Sequence, residues 1–176
     1  MYFNGNDIVG DTSILHSIID KLPLKSGTQR RKLCPQGASV LYGQTFRGFL
    51  KYDNEGKKVL RKRVTNQLFE TTLKTQYPQL MDVFKEYRDL YFPDFIFNNV
   101  MINKNYPVKR HKDASNVGES VLVTFGDYTG GETLVELNPS VYVNTNCNPV
   151  RFDGSKYYHS VMPFTGDRFA LVFFNH

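Results

Sequence analysis

The sequence predicts an α+β domain, mainly β, in which a sandwich or barrel of short strands is buttressed by N-terminal helices. Three observations carry this prediction. From residue 95 onward, short runs of branched and aromatic residues recur between Gly, Asn, Asp and Pro. Before residue 95, apolar residues recur at intervals of three and four instead. The chain has 176 residues, 40% of them hydrophobic and 22% charged, which is enough to close one core without disulfide or metal staples. One domain over 1–176 is expected, with 1–94 as basic helical and hairpin support and 95–176 as the β-core.

The elements follow in order. Asp11, Thr12 or Ser13 can cap a first helix whose apolar residues are Ile14, Leu15, Ile18, Ile19 and Leu22, and Pro23 ends it. Ser39–Tyr52 mixes Val, Leu, Tyr and Phe with glycine and reads as extended. Asp53-Asn54-Glu55-Gly56 is a turn signal, and Lys58–Val64 reads as the returning strand of a hairpin. Asn66–Thr75 reads as helical. A further helix starts near Pro78, buries Leu80, Phe84, Tyr87 and Tyr91, and stops at Pro93. Strands are expected over Phe95–Ile102, Ser120–Phe125, Glu132–Leu137, Val141–Val143, Val150–Phe152 and Arg168–Phe174.

Composition excludes several classes. No apolar run approaches the roughly 18 residues of a membrane-spanning helix. The opening MYFNGNDIVGDTS has neither the basic nor the apolar region of a secretory leader. Cys34 and Cys147 are too few for a disulfide framework or a cysteine-rich zinc site. A soluble, intracellular, reduced protein is expected, in cytoplasm or nucleus. The net charge of +5 lies wholly in residues 1–94, because residues 95–176 balance 7 basic against 7 acidic side chains. Arg30–Arg63 alone holds 10 basic residues against Asp53 and Glu55. Such a run is either a solvated face or a phosphate-binding one.

Four histidines are present: His16, His111, His159 and His176. His111 and Asp113 are two residues apart, so on extended backbone both point to one side and can share a cation. Taken alone, such a pair is ordinary surface chemistry. His159 follows Asp113 by 46 residues, and Arg168 stands nine further on at the mouth of an otherwise apolar strand. There its planar fork can clasp a carboxylate. Two imidazoles and one carboxylate on one face of a metal leave open positions, as in non-haem Fe(II) oxygenases. The four residues jointly make that reading, although each could separately be a core or rim residue.

The pattern His111-x-Asp113, then Gly130-Gly131-Glu132, then His159 and Arg168 within HSVMPFTGDRFALVFF resembles the Fe(II)/2-oxoglutarate-dependent dioxygenases. The likeness covers roughly residues 95–176. It implies a double-stranded β-helix, a jelly-roll relative of the cupins, and an oxidoreductase using Fe(II), 2-oxoglutarate and O2. It also implies that His111, Asp113 and His159 are the catalytic metal ligands. Arg168 would hold the distal carboxylate of 2-oxoglutarate, with Asn103 as a further contact to it. Many relatives carry a hydroxyl residue two places after the arginine, where this chain has Ala170. Within the family, His111-Lys-Asp113-Ala-Ser-Asn116 and the closing Phe-Phe-Asn-His are similar to the TET/JBP branch, which oxidises the methyl group of 5-methylcytosine or thymine in DNA.

By position, Asn116 would then bind the substrate base, and nucleic acid, DNA before RNA, would be the partner. Asn116 could equally cap its own turn. Lys109, Arg110 and Lys112 flank the site, and Tyr106 and Tyr158 are the aromatics nearest to it. His16 reads as structural and His176 as a barrel-end residue. The His159-to-Arg168 spacing, with Pro163 and Gly166, also fits a prolyl-hydroxylase-like enzyme acting on protein. An AlkB-like demethylase and a catalytically silent cupin-like metal-binding module are the remaining alternatives.

Overall fold

The computed structural model describes residues 10–27, 30, 32, 34–52, 55 and 58–176, with 47–52 and 58–66 described by their backbone alone. The proposed Asp53–Gly56 turn lies outside the described residues except for Glu55, as do Arg31 and Lys57 of the basic segment.

The elements run α1 (Ser13–Ile19), β1 (Ala38–Tyr42), β2 (Gln44–Tyr52), β3 (Lys58–Glu70), α2 (Thr72–Gln76), α3 (Leu80–Tyr91), β4 (Asn99–Lys104) and β5 (Ser120–Gly130). They continue through β6 (Thr133–Val135), β7 (Val141–Val143), β8 (Val150–Phe152), β9 (His159–Val161) and β10 (Phe164–Phe174). A five-stranded antiparallel sheet has the order β1-β4-β10-β5-β8. Facing it is a three-stranded sheet, β7-β6-β9, and β2-β3 form a separate hairpin.

Alternation along the strands decides what each face covers. On β10, Phe169, Leu171 and Phe173 point to the helices, and Val121, Val123 and Phe125 of β5 and Val100 and Ile102 of β4 join them. Leu15 and Ile19 of α1 and Leu80, Phe84 and Tyr87 of α3 complete this core. The opposite face carries Ala170 and Leu122, which pack on Val135 and Val143 of the small sheet and on Val150 and Phe152. The large sheet is therefore buried on both faces, apolar toward the helices and mixed toward the small sheet, and a three-layer molecule results. The fold is the mainly β, jelly-roll-like architecture with flanking helices that the strand pattern predicts.

Several expected boundaries are corrected. Asn66–Thr75 is not one helix: Asn66–Glu70 belongs to β3, with Phe69 opposite Thr45 and Glu70 opposite Gln44, and the helix begins only at Thr72. Thr71 caps it by accepting from the Lys74 amide. Ser39–Tyr52 divides at Gly43, whose φ of +131° turns the chain out of the large sheet into the hairpin. β1, from the first half of the chain, is an edge strand of the large sheet, pairing with β4 from Ala38↔Lys104 to Tyr42↔Val100. β4 itself starts at Asn99 rather than Phe95. β10 starts at Phe164, so Arg168 lies within the strand, opposite Gly126, and not at its mouth. His159 belongs to β9, a strand that the sequence pattern does not predict. Cys34 and Cys147 are both free thiols.

Candidate metal centre

Antiparallel backbone pairing brings two histidines 48 positions apart onto facing positions. The His111 amide donates to the His159 carbonyl at 3.0 Å, and the reverse bond is also 3.0 Å. One residue beyond Lys112, the Asp113 amide donates to the Gly154 carbonyl at 2.9 Å, which turns the carboxylate in beside the rings. One ligand atom from each of His111, Asp113 and His159 lies within 4.8 Å of the others. His111 Nε2 is 3.3 Å from Asp113 Oδ1, and His159 Nε2 is 3.6 Å from Asp113 Oδ2.

The other ring nitrogens fix the tautomers. His111 Nδ1 donates to the Lys109 carbonyl at 2.8 Å, and His159 Nδ1 donates to the Tyr157 carbonyl at 3.1 Å. Each neutral ring therefore aims an Nε2 lone pair at the carboxylate. Three acceptors facing one another repel unless a proton or a metal cation lies among them. The Asp113 hydrogen bond accordingly raises the His111 pKa, against the opposing effect of burial. Burial lowers that of His159. Burial also works to raise Asp113, but the His111 hydrogen bond and the neighbouring positive charges outweigh it and leave the carboxyl below its ordinary range. Gly154 makes room: a Cβ there would stand 2.7 Å from Asp113 Oδ2 and 3.2 Å from His159 Cε1.

A cavity of about 680 Å³ opens between the two sheets beside these three residues. Asn103, Thr133, Arg168, Asn116, Tyr106 and His176 are among its lining residues. Arg168 is 2% exposed, and burial lowers its pKa. Its Nη2 donates to the Gly131 carbonyl at 3.0 Å, and its guanidinium lies 5.5 Å from the Tyr128 ring and 5.4 Å from the Phe164 ring. Gly131, with φ +76°, allows this approach, since a Cβ would meet Arg168 Nε at 2.8 Å. Arg168 forms no ion pair with a described residue. Its Nε, Asn103 Oδ1 and Thr133 Oγ1 are buried without hydrogen-bond partners. A buried unpaired cation costs several kcal/mol, so this end of the cavity suits a carboxylate.

The remaining sequence-predicted residues are placed as follows. Asn116 sits in the turn after Asp113, half-buried, with its amide hydrogen on Asp113 O and its Nδ2 donating to Ser120 Oγ at 3.2 Å. His16 lies outside the cavity and packs on Phe169 at 4.9 Å. Tyr158 is exposed between the cations of Arg110 and Lys112, and Arg110 also pairs with Glu136 at 2.6 Å. Sequence reasoning missed Thr133 and Gly154, and it placed His176 only at a strand end. His176 lines the cavity, packs against Phe174 and Phe46, and donates from Nδ1 to the Ser115 carbonyl at 3.2 Å.

No family model matches the chain, and no curated protein does. Solved structures do. A structure of NgTET1 in complex with 5mC DNA superposes with TM-score 0.55 and 18% identity over 95% of this chain and 69% of that one. An oxidoreductase of the 2OG-Fe(II) oxygenase family from Burkholderia pseudomallei gives 0.51 and 16% over 92% and 75%. A Pseudomonas putida prolyl-4-hydroxylase overlaps more loosely, at 0.46 and 15% over 96% and 85%. The first two share this chain's fold, which is the fold of the 2-oxoglutarate/Fe(II) oxygenases.

Proposed function

We propose that the protein is an Fe(II)- and 2-oxoglutarate-dependent dioxygenase that hydroxylates the methyl group of a modified pyrimidine, 5-methylcytosine or thymine, in nucleic acid, DNA before RNA. The observation that carries the enzyme class is the convergence of two imidazole Nε2 atoms and one carboxylate in a cavity also lined by a buried guanidinium that forms no ion pair with a described residue. A silent module with a closed metal site has no use for that guanidinium.

The donor set fits ferrous iron: two imidazoles and one carboxylate, all three lining the cavity. His111, Asp113 and His159 would hold the ion. Bound there, iron would activate O2, the oxidant, so that one oxygen atom ends in succinate as the keto acid loses carbon dioxide and the other enters the substrate C–H bond. Arg168 binds the distal carboxylate of the cosubstrate with its free Nε edge. Thr133 and Asn103 line the same cavity with Oγ1 and Oδ1 unpartnered, and Thr133 could offer the hydroxyl that Ala170 lacks. Lys109 O and Tyr157 O keep both imidazoles in the tautomer that leaves Nε2 unprotonated. Leu122, Val172 and Phe152 wall the cavity with hydrocarbon and limit water there.

The substrate assignment rests on the H-x-D-x-x-N likeness, on the basic first half of the chain, on Asn116 lining the cavity and on the overlap with NgTET1, whose structure holds 5mC DNA. A methyl group within a duplex cannot reach a centre set between two sheets, so the target base would be extruded or single-stranded. Succinate release tests the enzyme class: it should be lost on His111→Ala and kept on His16→Ala, and equal turnover by both variants would refute the metal assignment. Mass analysis of methylated and unmethylated oligonucleotides tests the substrate. Oligonucleotide binding that is weak and insensitive to salt would refute it.

A further inference from the structure

The side chains lining the cavity are strongly unbalanced in charge. Among the described residues that line it, Arg30, Lys109, Lys112 and Arg168 oppose one side-chain carboxylate, that of Asp113. Loading the proposed centre leaves that imbalance unchanged, because a divalent cation and a dicarboxylate cancel. Whatever else enters the cavity is therefore drawn in by positive potential.

Arg30 is the cation placed to use it. Its Nη1 donates to Ser39 Oγ at 2.7 Å and to the Ser39 carbonyl at 3.4 Å, and lies 3.2 Å from Met101 Sδ. Ser39 is itself buried, and its amide is anchored by Ser26 Oγ at 2.7 Å. One edge of the guanidinium is thus pinned to β1 and β4 while the residue as a whole remains exposed. Arg30 forms no ion pair with a described residue. It shares no partner with Arg168, which sits on β10, two strands or roughly 10 Å across the sheet from β1. An anion held by Arg30 would not compete with the dicarboxylate held by Arg168.

We infer that Arg30 binds a phosphate of the primary substrate at the mouth of the cavity, next to the nucleotide whose base enters it. A fixed guanidinium with a free edge suits a phosphodiester, which accepts two parallel hydrogen bonds. This rests on the nucleic-acid reading above, and among the residues of the basic segment whose side chains are described it singles out the one cation that lines the cavity.

The test is anisotropy of a short fluorescein-labelled single strand carrying one 5-methylcytosine, titrated at several salt concentrations against protein loaded with Fe(II) and 2-oxoglutarate under argon. Arg30→Gln should bind about tenfold more weakly. Its slope of log K against log salt should be shallower by about 0.7, the loss of one phosphate contact on a single strand. Arg30→Lys should recover the slope. Lys85→Gln, which removes an exposed charge on α3, should leave both unchanged. The visible absorption of the Fe(II)–2-oxoglutarate complex should be the same in all four proteins.

Arg30→Gln binding with wild-type affinity and slope would overturn the inference alone, as would Arg30→Gln failing to form the Fe(II)–2-oxoglutarate complex, which would make Arg30 part of that centre. A wild-type protein that forms the complex yet binds no oligonucleotide would refute the nucleic-acid reading, and the inference with it.

Discussion

At the residue scale the decisive feature is the gathering of a carboxylate and two imidazole Nε2 atoms around one point. Asp113 is faced by His111 Nε2 at 3.3 Å and His159 Nε2 at 3.6 Å, and backbone carbonyls occupy both Nδ1 hydrogens. Gly154 holds this arrangement open. Gly154→Ala should weaken Fe(II) or Co(II) binding by about tenfold or more, in the range of lost outer contacts to metal ligands, while circular dichroism stays native. Arg168→Ala should raise the KM for 2-oxoglutarate by at least about tenfold, since it removes a charge-assisted, bidentate site, and Arg168→Lys should restore part of it. His111, Asp113, His159 and Arg168 were legible in the sequence because their types and spacing are unusual together. Gly154 and Thr133 were not. Their roles come from contacts with residues far along the chain, and neither has a local signal to distinguish it from other small turn and strand residues.

At the scale of elements, alternation and punctuation carried most of the reading. Pro93 follows the end of α3 at Tyr91, whereas α1 already ends at Ile19, short of Pro23, and β7 and β8 match their expected ends because each is a short branched run between turn residues. The reading failed where pairing is non-local. Leu68 and Phe69 look helical beside Leu73, but their backbone is satisfied by Phe46 and Thr45 on the other arm of the hairpin. β9 is three residues long, and only its partners in β6 and His111 make it a strand.

Gly43 is the corner between the large sheet and the hairpin, with φ +131° and the Asn99 side chain and Asn98 carbonyl where a Cβ would go. Gly43→Ala should cost about 1–3 kcal/mol in urea unfolding. Arg151 clasps Asp94 with two bonds of 2.9 Å, tying β8 to the segment before β4, and this hydrogen bonding lowers the Asp94 pKa. A lowered carboxyl contributes stability above its unfolded pKa and loses it as pH falls through the folded value. The difference in Tm between wild type and Arg151→Ala should therefore be full at pH 7, begin to shrink near the ordinary carboxyl pKa of about 4, and be lost as the pH falls further through the lowered value.

At the scale of the whole molecule, three layers set the centre where it can work. The helices seal one face of the large sheet, the small sheet covers part of the other, and the cavity lies where that cover ends. Arg168 and Ala170 both project from β10 toward that side, so the same alternation that builds the core also positions the carboxylate-binding arginine. Among the described residues, no helix is long and apolar enough to cross a membrane. The most direct measurement is the visible spectrum of the protein mixed anaerobically with Fe(II) and 2-oxoglutarate. A metal-to-ligand charge-transfer band should appear with the wild type, weaken with Arg168→Ala and be absent with His111→Ala. No band from the folded wild-type protein, or an equal band from His111→Ala, would contradict iron binding by these three side chains.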